Sequence, residues 1–229
     1  MAITPDTAGA LCVILGGGGH ARVLVDALTS GGLGLSCVIL DADSSKWGSR
    51  LYDVPILGGD ELLPGLAQRG VVHFVVGLGS TGDNRNRRRL FELGLAHGLK
   101  PVTVMHPTAV CSRWATVGVG CQLLPGSIVN AGSRLGTNVL INSGAIVEHD
   151  CVLGDHVHVA TGARLASTVR VAAEAHIGAG ASVRQCIAIG EGAIVGVGAA
   201  VVTDVLPFTT VVGVPARPLE KHRPIVTAS

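Results

Sequence analysis

Two patterns of hydrophobic and polar positions divide the chain. Up to about residue 104, short apolar runs such as LCVIL and HFVVGLG alternate with longer amphipathic stretches that end in glycine. Strands that alternate with helices in this way predict a parallel sheet with helices on its faces, as in Rossmann-like α/β domains. From about Val110 onward the alternation stops, and aliphatic side chains recur at every sixth position.

The six-residue period runs without interruption through fifteen positions, from Val117 to Val201. Neither an amphipathic helix nor a simple strand has this period, which is typical of hexapeptide repeats in a parallel β-helix with three short strands per coil. Eighteen residues then complete one coil, so residues 18 apart lie above one another. The sequence therefore predicts an α/β N-terminal Rossmann-like domain over residues 1–105, followed by a β-helix domain over residues 106–229.

Both ends of the predicted β-helix need a cover, because an open coil would expose the edges of its strands. We expect the N-terminal domain to cover the first coil. The tail LPFTTVVGVPARPLEKHRP, with its prolines and charges, is expected to close the last coil.

Composition excludes several classes of function. The 229 residues carry 17 basic and 16 acidic side chains, and this balance gives no electrostatic footprint for nucleic acid or an anionic membrane. The longest apolar run, GAIVGVGAAVV, has eleven residues, whereas a membrane-spanning helix needs roughly 20. The first residues also lack the basic segment of a secretory signal. We therefore expect a cytoplasmic protein with no nucleic-acid partner and no membrane partner.

A cluster of polar residues, Glu148, His149 and Asp150, interrupts the apolar repeat. In the 18-residue stacking, His149 projects outward between Ala131 and Ser167, two small neighbours that leave room for a ligand. Asp150 adjoins His149 at a corner, where its carboxylate can hold one ring nitrogen while the other accepts a proton. His149 is thus a candidate general base with Asp150 as its partner. The alternative is a solvated surface histidine with acidic neighbours.

The other histidines of this region receive a different interpretation. His156, like Glu148, is expected at the surface. His158 and His176 are 18 residues apart and therefore stack in adjacent coils. Two stacked histidines suggest zinc, but a zinc site needs a third ligand and no third histidine lies in the column. The sequence therefore predicts no metal site.

The glycine-rich segment GGGGHA, residues 16–21, follows a predicted strand and opens a predicted helix. Backbone amides in that position can hold a diphosphate. The segment fits the weak pattern G-x-G-x-x-A, and Asp41 ends the second strand, where an acid can bind a ribose. The pattern alone leaves open both NAD binding and a plain tight turn.

Three segments together, VILGGGGHARVLVDAL, INSGAIVEHDCVLGDHVHVATGA and VVGVPARPL, resemble the NeuD/PglD-like sugar acetyltransferases over nearly the whole chain. The resemblance implies a left-handed β-helix, a homotrimer, and acetyl-CoA bound as co-substrate between the β-helices of two subunits. It also implies a nucleotide-linked amino sugar as the acceptor, used in surface-polysaccharide or glycoprotein synthesis. No metal is required.

The resemblance carries roles to individual residues. His149 matches the general base and Asp150 its acidic partner. The cofactor site is implied at Asn142, His158, Ser167, Gly178, Gly196 and Gly198. The nucleotide-sugar site is implied at Gly17, Gly18, Gly19, His20, Asp41, Asp43, Asn84 and Arg87. Ser167 and Val197 stand where the family has glycines, and the Ser167 N–H remains available to the thioester oxygen.

Our leading hypothesis is acetyl transfer from acetyl-CoA to the amine of a nucleotide-activated amino sugar. The amine must lose a proton as it attacks the thioester, and a neutral imidazole can take it. Acetylation of a hydroxyl group, on a sugar of the sialic-acid type, is a second hypothesis for the same site. A third, from another class, is a non-catalytic scaffold that binds sugar nucleotides. The EHD and GVPAR segments favour an enzyme over the scaffold.

Overall fold

The computed structural model describes residues 10–32 and 34–219. Its N-terminal part is a six-stranded sheet in the order β3-β4-β2-β1-β5-β6, parallel except for the antiparallel pair β3–β4. The predicted α/β arrangement is therefore present. Its elements are β1 (Leu11–Leu15), α1 (Gly19–Ser30), β2 (Ser36–Leu40), β3 (Arg50–Leu51), β4 (Val54–Gly58), α2 (Leu63–Gln68), β5 (Val71–Val76), α3 (Arg85–Ala96) and β6 (Lys100–Pro101).

Strand β1 is at the centre of this sheet because it can be buried on both faces. Four of its five side chains, from Cys12 to Leu15, have no exposed surface, as expected for a parallel strand between helices. Helix α1 covers one face with an apolar stripe that includes Leu24 and Leu28. The carboxyl end of β1 then leads directly into the glycine segment, which places that segment at the edge where parallel α/β sheets bind ligands.

The remaining strands form a triangular prism with three sheets. Face one contains β7 (Val104–Met105), β10 (Gln122–Leu123), β13 (Leu140–Ile141), β16 (His158–Val159), β19 (His176–Ile177), β22 (Ile194–Val195), β24 (Thr210–Val212) and β25 (Arg217–Pro218). Face two contains β8 (Val110–Cys111), β11 (Ile128–Val129), β14 (Ile146–Val147), β17 (Arg164–Leu165), β20 (Ser182–Val183) and β23 (Ala200–Val201). Face three contains β9 (Thr116–Val117), β12 (Arg134–Leu135), β15 (Val152–Leu153), β18 (Arg170–Val171) and β21 (Ala188–Ile189).

The aliphatic residues that recur at every sixth position line the inside of this prism. Each of them is the second residue of a two-residue strand, and those from Leu123 to Val201 are buried. Strands pair in parallel with an offset of 18 residues, as Val147 does with Leu165. Left-handed backbone at the corners, such as φ +59° at Asp150, lets the chain turn sharply between faces.

The N-terminal domain lies along face one, not only over the first coil as the sequence suggested. The outward side chains of Gln122, Leu140, His158 and His176 on this face are buried. His156 is half-buried, because its ring meets that of Phe91 edge-on at 5.8 Å, so it is less exposed than the sequence suggested.

The far end of the prism is closed by the antiparallel pair β24–β25, which belongs to the predicted cap. The remaining cap residues, 220–224, lie outside the described residues. Within residues 10–32 and 34–219, no helix has the length and apolar character to cross a membrane.

Candidate active site

His149 and Asp150 occupy the corner between faces two and three. The Nδ1–H of His149 donates to Asp150 Oδ2 at 2.8 Å, and 57% and 64% of the two side chains are exposed. Because a carboxylate only accepts hydrogen bonds, the neutral ring must carry its proton on Nδ1, which leaves the lone pair on Nε2. The contact expected from the sequence is present, and it leaves a ring nitrogen that can accept a proton.

The coils on either side hold this corner in place. Asp150 N–H donates to the carbonyl of Ala131 at 3.0 Å, and Thr168 N–H donates to the carbonyl of His149 at 3.0 Å. A β-carbon on Gly132, one coil below Asp150, would collide with its Oδ1 atom. Backbone hydrogen bonds to the neighbouring coils hold the corner, and the absence of a side chain at Gly132 leaves space for the Asp150 carboxylate beside His149.

Ser167 lies one coil above His149 and is half-buried. Its carbonyl accepts from Cys186 N–H at 3.1 Å, whereas its own N–H donates to no group in the part of the chain that the structure describes. That N–H is therefore available to an oxygen atom near His149, as the sequence suggested. This arrangement does not need a glycine.

The glycine loop at the start of α1 is open to a ligand. Nothing lies within 4 Å of a β-carbon built on Gly18 or Gly19. Helix α1 has twelve residues, no side-chain N-cap and no acid in its first turn. Its first N–H groups and the positive end of its dipole are available to an anion.

Asp41 supports this loop from the end of β2. Its Oδ2 accepts from Gly17 N–H at 2.5 Å, and its Oδ1 accepts from Asp43 N–H at 2.8 Å and from Lys46 Nζ at 3.2 Å. Burial raises the pKa of Asp41, but these hydrogen bonds and Lys46 outweigh burial and lower it overall. Both oxygens are engaged with the protein, so Asp41 supports the loop, and its contact with a ribose stays a prediction. Asp43 is more exposed and caps the short 3-10 helix Ser44–Lys46.

His20 joins the glycine loop to the β-helix. Gln122 donates to the carbonyl of Val76 at 2.8 Å through its amide nitrogen, so its Oε1 accepts from His20 Nε2–H at 2.7 Å. Burial, followed by the charge of Arg87, lowers the pKa of His20 to about 4. His20 is therefore neutral at pH 7. Gln122 was not identified from the sequence, because nothing in a hexapeptide marks which outward side chain will meet another domain.

Asn84 and Arg87 are in the domain interface, with 1% and 0% of their surfaces exposed. Arg87 donates to the carbonyl of Leu78 at 2.8 Å and to Asn138 Oδ1 at 3.0 Å, and burial lowers its pKa to about 10. Asn84 donates to two backbone carbonyls of the β-helix. The interpretation of both as contacts to the nucleotide sugar is corrected, because neither reaches the surface.

His158 and Asn142 lie at the edge between faces one and two. His158 is 3% exposed, and its ring meets His176 edge-on at 4.8 Å between centroids. Its Nδ1 lies 2.8 Å from Ser80 Oγ and its Nε2 lies 3.2 Å from Asn142 Nδ2. Burial, followed by the charges of His176 and Arg87, holds the pKa of His158 well below its usual range. Ser80 is a further contact that the sequence did not single out.

The three glycines predicted to bind the cofactor differ in the space around them. A β-carbon on Gly178 would collide with the backbone of the next coil, and one on Gly196 would collide with Val212. Close stacking alone accounts for these two. Gly198 has φ +67° and open space around it, and its neighbour Val197 is 80% exposed. Among the described residues, no group of three or more His, Cys, Asp or Glu side chains is arranged to hold a metal ion.

The candidate site therefore falls into two halves. The glycine loop, His20, His158 and Asn142 gather where the N-terminal domain meets the prism, next to the edge between faces one and two. His149 stands at the opposite edge of face two.

Comparison with known proteins covers both domains. A family model described as PglD N-terminal domain matches residues 12–93, and one described as bacterial transferase hexapeptide (six repeats) matches residues 132–167. No functionally curated protein matches the sequence. Solved structures of similar proteins, however, span almost the whole chain.

Three of these structures show the range of similarity. A perosamine N-acetyltransferase from Caulobacter crescentus, a histidine-to-asparagine variant in complex with CoA and GDP-perosamine, is 36% identical; the match covers 93% of this chain and 98% of that one, with a TM-score of 0.86. The acetyltransferase domain of PglB from Neisseria gonorrhoeae, in complex with acetyl coenzyme A, is 34% identical over 92% and 100%, with a TM-score of 0.85. WeeI from Acinetobacter baumannii is 26% identical over 92% and 99%, with a TM-score of 0.82. The predicted fold, an α/β domain followed by a left-handed parallel β-helix, is confirmed.

Proposed function

This chain belongs to the PglD/NeuD-like family of sugar acetyltransferases, and from that membership we propose that it acetylates the amino group of a nucleotide-linked amino sugar with acetyl-CoA. The relatives from Caulobacter and Neisseria bind CoA or acetyl coenzyme A, and the former also binds GDP-perosamine. These ligands match the two substrates of the proposed reaction. Acetyl-CoA as the donor also favours a cytoplasmic enzyme.

The observation that carries the proposal is the His149–Asp150 pair on an exposed corner. The Nδ1–H of His149 is held by a carboxylate at 2.8 Å, so Nε2 of this exposed side chain is the nitrogen that can accept a proton. As the sugar amine attacks the thioester carbon, its nitrogen becomes positively charged and must release a proton. His149 takes that proton, and Asp150 stabilises the imidazolium that forms.

The same corner supplies a donor for the other charge that develops. As the amine adds, the thioester oxygen becomes an oxyanion, which needs an N–H group close to the base. The free N–H of Ser167 is one coil from His149. Collapse of the intermediate then breaks the carbon–sulfur bond and releases CoA.

The nucleotide-sugar half of the site rests on the N-terminal domain. The open N–H groups at Gly18 and Gly19 suit the diphosphate of the substrate, and Asp41 holds the loop in shape from below. His20 lies beside this loop as a neutral hydrogen-bonding group. We therefore assign sugar-nucleotide binding to the first domain and acetyl transfer to the β-helix.

The position of the two halves on opposite edges of one prism favours a site that two copies of the chain share. In a cyclic trimer packed through face two, the edge that carries His149 on one copy meets the edge that carries Asn142 on the next. Face two also has a more apolar outer surface than face three: Val110, Ile128, Ile146 and Ala200 project from face two beside one arginine, Arg164, whereas Arg134 and Arg170 both project from face three. We therefore propose a homotrimer with its active sites, and the clefts for acetyl-CoA, between subunits.

A thiol-release assay with acetyl-CoA and a panel of nucleotide-linked amino sugars tests the proposed reaction. We expect turnover with at least one such sugar and none with free sialic acid. Turnover of sialic acid alone would replace N-acetylation by O-acetylation, and binding of sugar nucleotides without any thiol release would support the scaffold.

The glycine loop can be tested separately with one added charge. Gly19→Asp places a carboxylate where the diphosphate is expected, so we expect a large rise in KM for the nucleotide sugar with a smaller change for acetyl-CoA. Gly65→Asp is the matched control, because Gly65 is also helical and has open space around it, but lies in α2. If both variants behave alike, the diphosphate does not bind at this loop.

A further inference from the structure

Four polar side chains form a continuous hydrogen-bonded line from the N-terminal domain to the edge of the prism. Asn84 is the N-cap residue of α3, and Ser80 precedes it in the same loop. Ser80 Oγ contacts Asn84 Oδ1 and, on its other side, His158 Nδ1. His158 Nε2 then meets Asn142 Nδ2. We call these four side chains the relay.

Backbone carbonyls fix the relay at the Asn84 end. The Nδ2 atom of Asn84 donates to the carbonyls of Glu174 at 3.1 Å and Ala175 at 3.0 Å. Both amide hydrogens are thereby engaged by the β-helix. The Oδ1 atom must then be the one that faces Ser80, and it can only accept.

A backbone amide fixes the relay at the Asn142 end. The N–H of Ser143 donates to Asn142 Oδ1 at 2.8 Å. Turning the Asn142 amide over would put its NH₂ group against this N–H, donor against donor. Its Nδ2 atom must therefore be the one that faces His158, and it can only donate.

The two fixed ends leave one arrangement of protons between them. Because Asn84 Oδ1 accepts, the Ser80 hydroxyl donates to it, and a lone pair of Ser80 Oγ accepts the Nδ1–H of His158. Because Asn142 Nδ2 donates, His158 Nε2 must be unprotonated. His158 is therefore neutral and carries its proton on Nδ1.

We propose that Ser80 is a positioning residue of this enzyme, which holds His158 in the Nδ1–H tautomer so that His158 Nε2 accepts one N–H of Asn142 and leaves the other to donate to a substrate. The second N–H of Asn142 has no acceptor among the described residues. It suits an oxygen atom of a ligand, such as a sugar hydroxyl or the carbonyl of an acyl chain. This inference rests on the proposed function, because the ligand is one of its two substrates.

The surroundings of the relay agree with both parts of this role. His158 is almost fully buried and its pKa is held far down, so it stays neutral where His149 is to accept protons. A proton on Nε2 would oppose Asn142 Nδ2 and break their bond. Ser143, next to Asn142 in the chain, lines a cleft of about 680 Å³ between α1 and the prism together with Arg22 and Asp26, so there is room for a ligand one residue from Asn142.

The tautomer can be measured directly in the full-length protein. Two-bond ¹H–¹⁵N spectra of histidine-labelled protein distinguish the two neutral forms, and the His158 signals are those that vanish in His158→Gln. We expect the Nδ1–H form in the unaltered protein and in Ser80→Thr, which keeps the hydroxyl, and a measurably weaker preference for that form in Ser80→Ala, where only Asn142 still opposes a proton on Nε2. A proton on Nε2 in the unaltered protein, or an unchanged His158 in Ser80→Ala, overturns the relay.

Kinetics test whether the relay serves a substrate. We expect Ser80→Ala to raise KM for one of the two substrates about tenfold, the effect of one hydrogen bond, with a smaller change in kcat and with recovery in Ser80→Thr. A fall in kcat with both KM values unchanged would contradict the positioning role. If the unaltered protein transfers no acetyl group, the proposed function fails, whereas the tautomer measurement still decides the relay.

Discussion

His149 and His158 lie nine residues apart in the sequence and are held in opposite ways. His149 stands on a corner with 57% of its side chain exposed, and its side-chain partner is the adjacent Asp150. His158 is 3% exposed, and both of its ring nitrogens are hydrogen-bonded, one of them to Ser80 of the other domain. The ring of His149 is oriented by the adjacent residue in the chain, whereas the ring of His158 is oriented by contacts between the two domains.

The two histidines differ in whether the chain itself supplies a hydrogen-bond partner to both ring nitrogens. The edge with His158 is finished inside the chain, since the N-terminal domain covers it and supplies its partners. The corner with His149 has a rigid backbone and an oriented base, but no other side chain donates to or accepts from its ring among the described residues. This difference agrees with the trimer proposed above, in which His149 acts on a substrate that another copy of the chain presents.

The largest expected effect is at the exposed corner. His149→Ala should lower kcat by roughly 10²–10⁴-fold, the contribution of a general base. The free energy of unfolding should hardly change, because the side chain is exposed and makes no contact with the core. His97→Ala, at the C-cap of α3, is the control in the same thiol-release assay. Near-normal turnover of the His149 variant would support the alternative interpretation, in which His149 is a solvated surface histidine without a catalytic role.

Substitutions at the domain interface, where the N-terminal domain covers the prism, should lower the free energy of unfolding. Arg87→Met removes a buried cation and leaves the carbonyl of Leu78 and the amide of Asn138 without their donor, so we expect a loss of about 3 kcal/mol in the free energy of unfolding. Arg89→Met is the matched control on the same helix, because Arg89 is 58% exposed and its ion pair with Asp60 spans 3.4 Å. Urea unfolding at a fixed protein concentration measures both, and equal midpoints would contradict the interface role.

Low pH should also destabilise the domain interface and lower the free energy of unfolding. Burial lowers the pKa of His20 and of His176 to about 4, from an ordinary value of 6.5. Between these values the unfolded chain binds protons that the folded chain does not, so stability should fall as pH drops through this window and stay level above it. His176→Leu removes one such proton and should reduce the slope by up to about 1.4 kcal/mol per pH unit. Identical slopes in urea titrations would show that His176 is protonated in the folded state.

The smallest effect is expected from the carboxylate beside His149. Gly132→Ala should displace Asp150, since the added carbon collides with its Oδ1, and we expect about a tenfold lower kcat from the lost hydrogen bond. Gly98→Ala is the control, because it shares the left-handed backbone, φ +73° against +75°, but has open space around it. Equal kinetics in the two variants would mean that Asp150 does not orient the base.

The β-helix was predictable because each coil obeys the same steric rule. The six-residue spacing places Val147 inside and His149 outside, and both lie there. The His149–Asp150 contact also followed from the sequence, because adjacent residues at a corner cannot be far apart. Where the chain repeats, position alone decides which way a side chain faces.

The domain interface was not predictable in the same way. Gln122 and Ser80 matter because of what lies opposite them, and no repeat or spacing encodes that. Asn84 and Arg87 were assigned to the substrate through family resemblance, but packing of α3 against the prism buries them. Asp41 likewise holds Gly17 of the glycine loop with one oxygen and Asp43 with the other, two contacts that the sequence did not indicate. Contacts between residues distant in sequence and outside the repeat require the structure.

The central claim, that His149 of one copy acts on a sugar nucleotide held by another, is tested most directly by mixing two inactive variants. His149→Ala lacks the base but keeps the glycine loop, whereas Gly19→Asp keeps the base but blocks the loop. In mixed cyclic trimers, about one quarter of the interfaces would combine the intact loop of one variant with the intact base of the other. We therefore expect co-expression to restore thiol release to about a quarter of the unaltered level. No recovery in trimers shown to contain both variants would place the whole site within one chain and contradict this account.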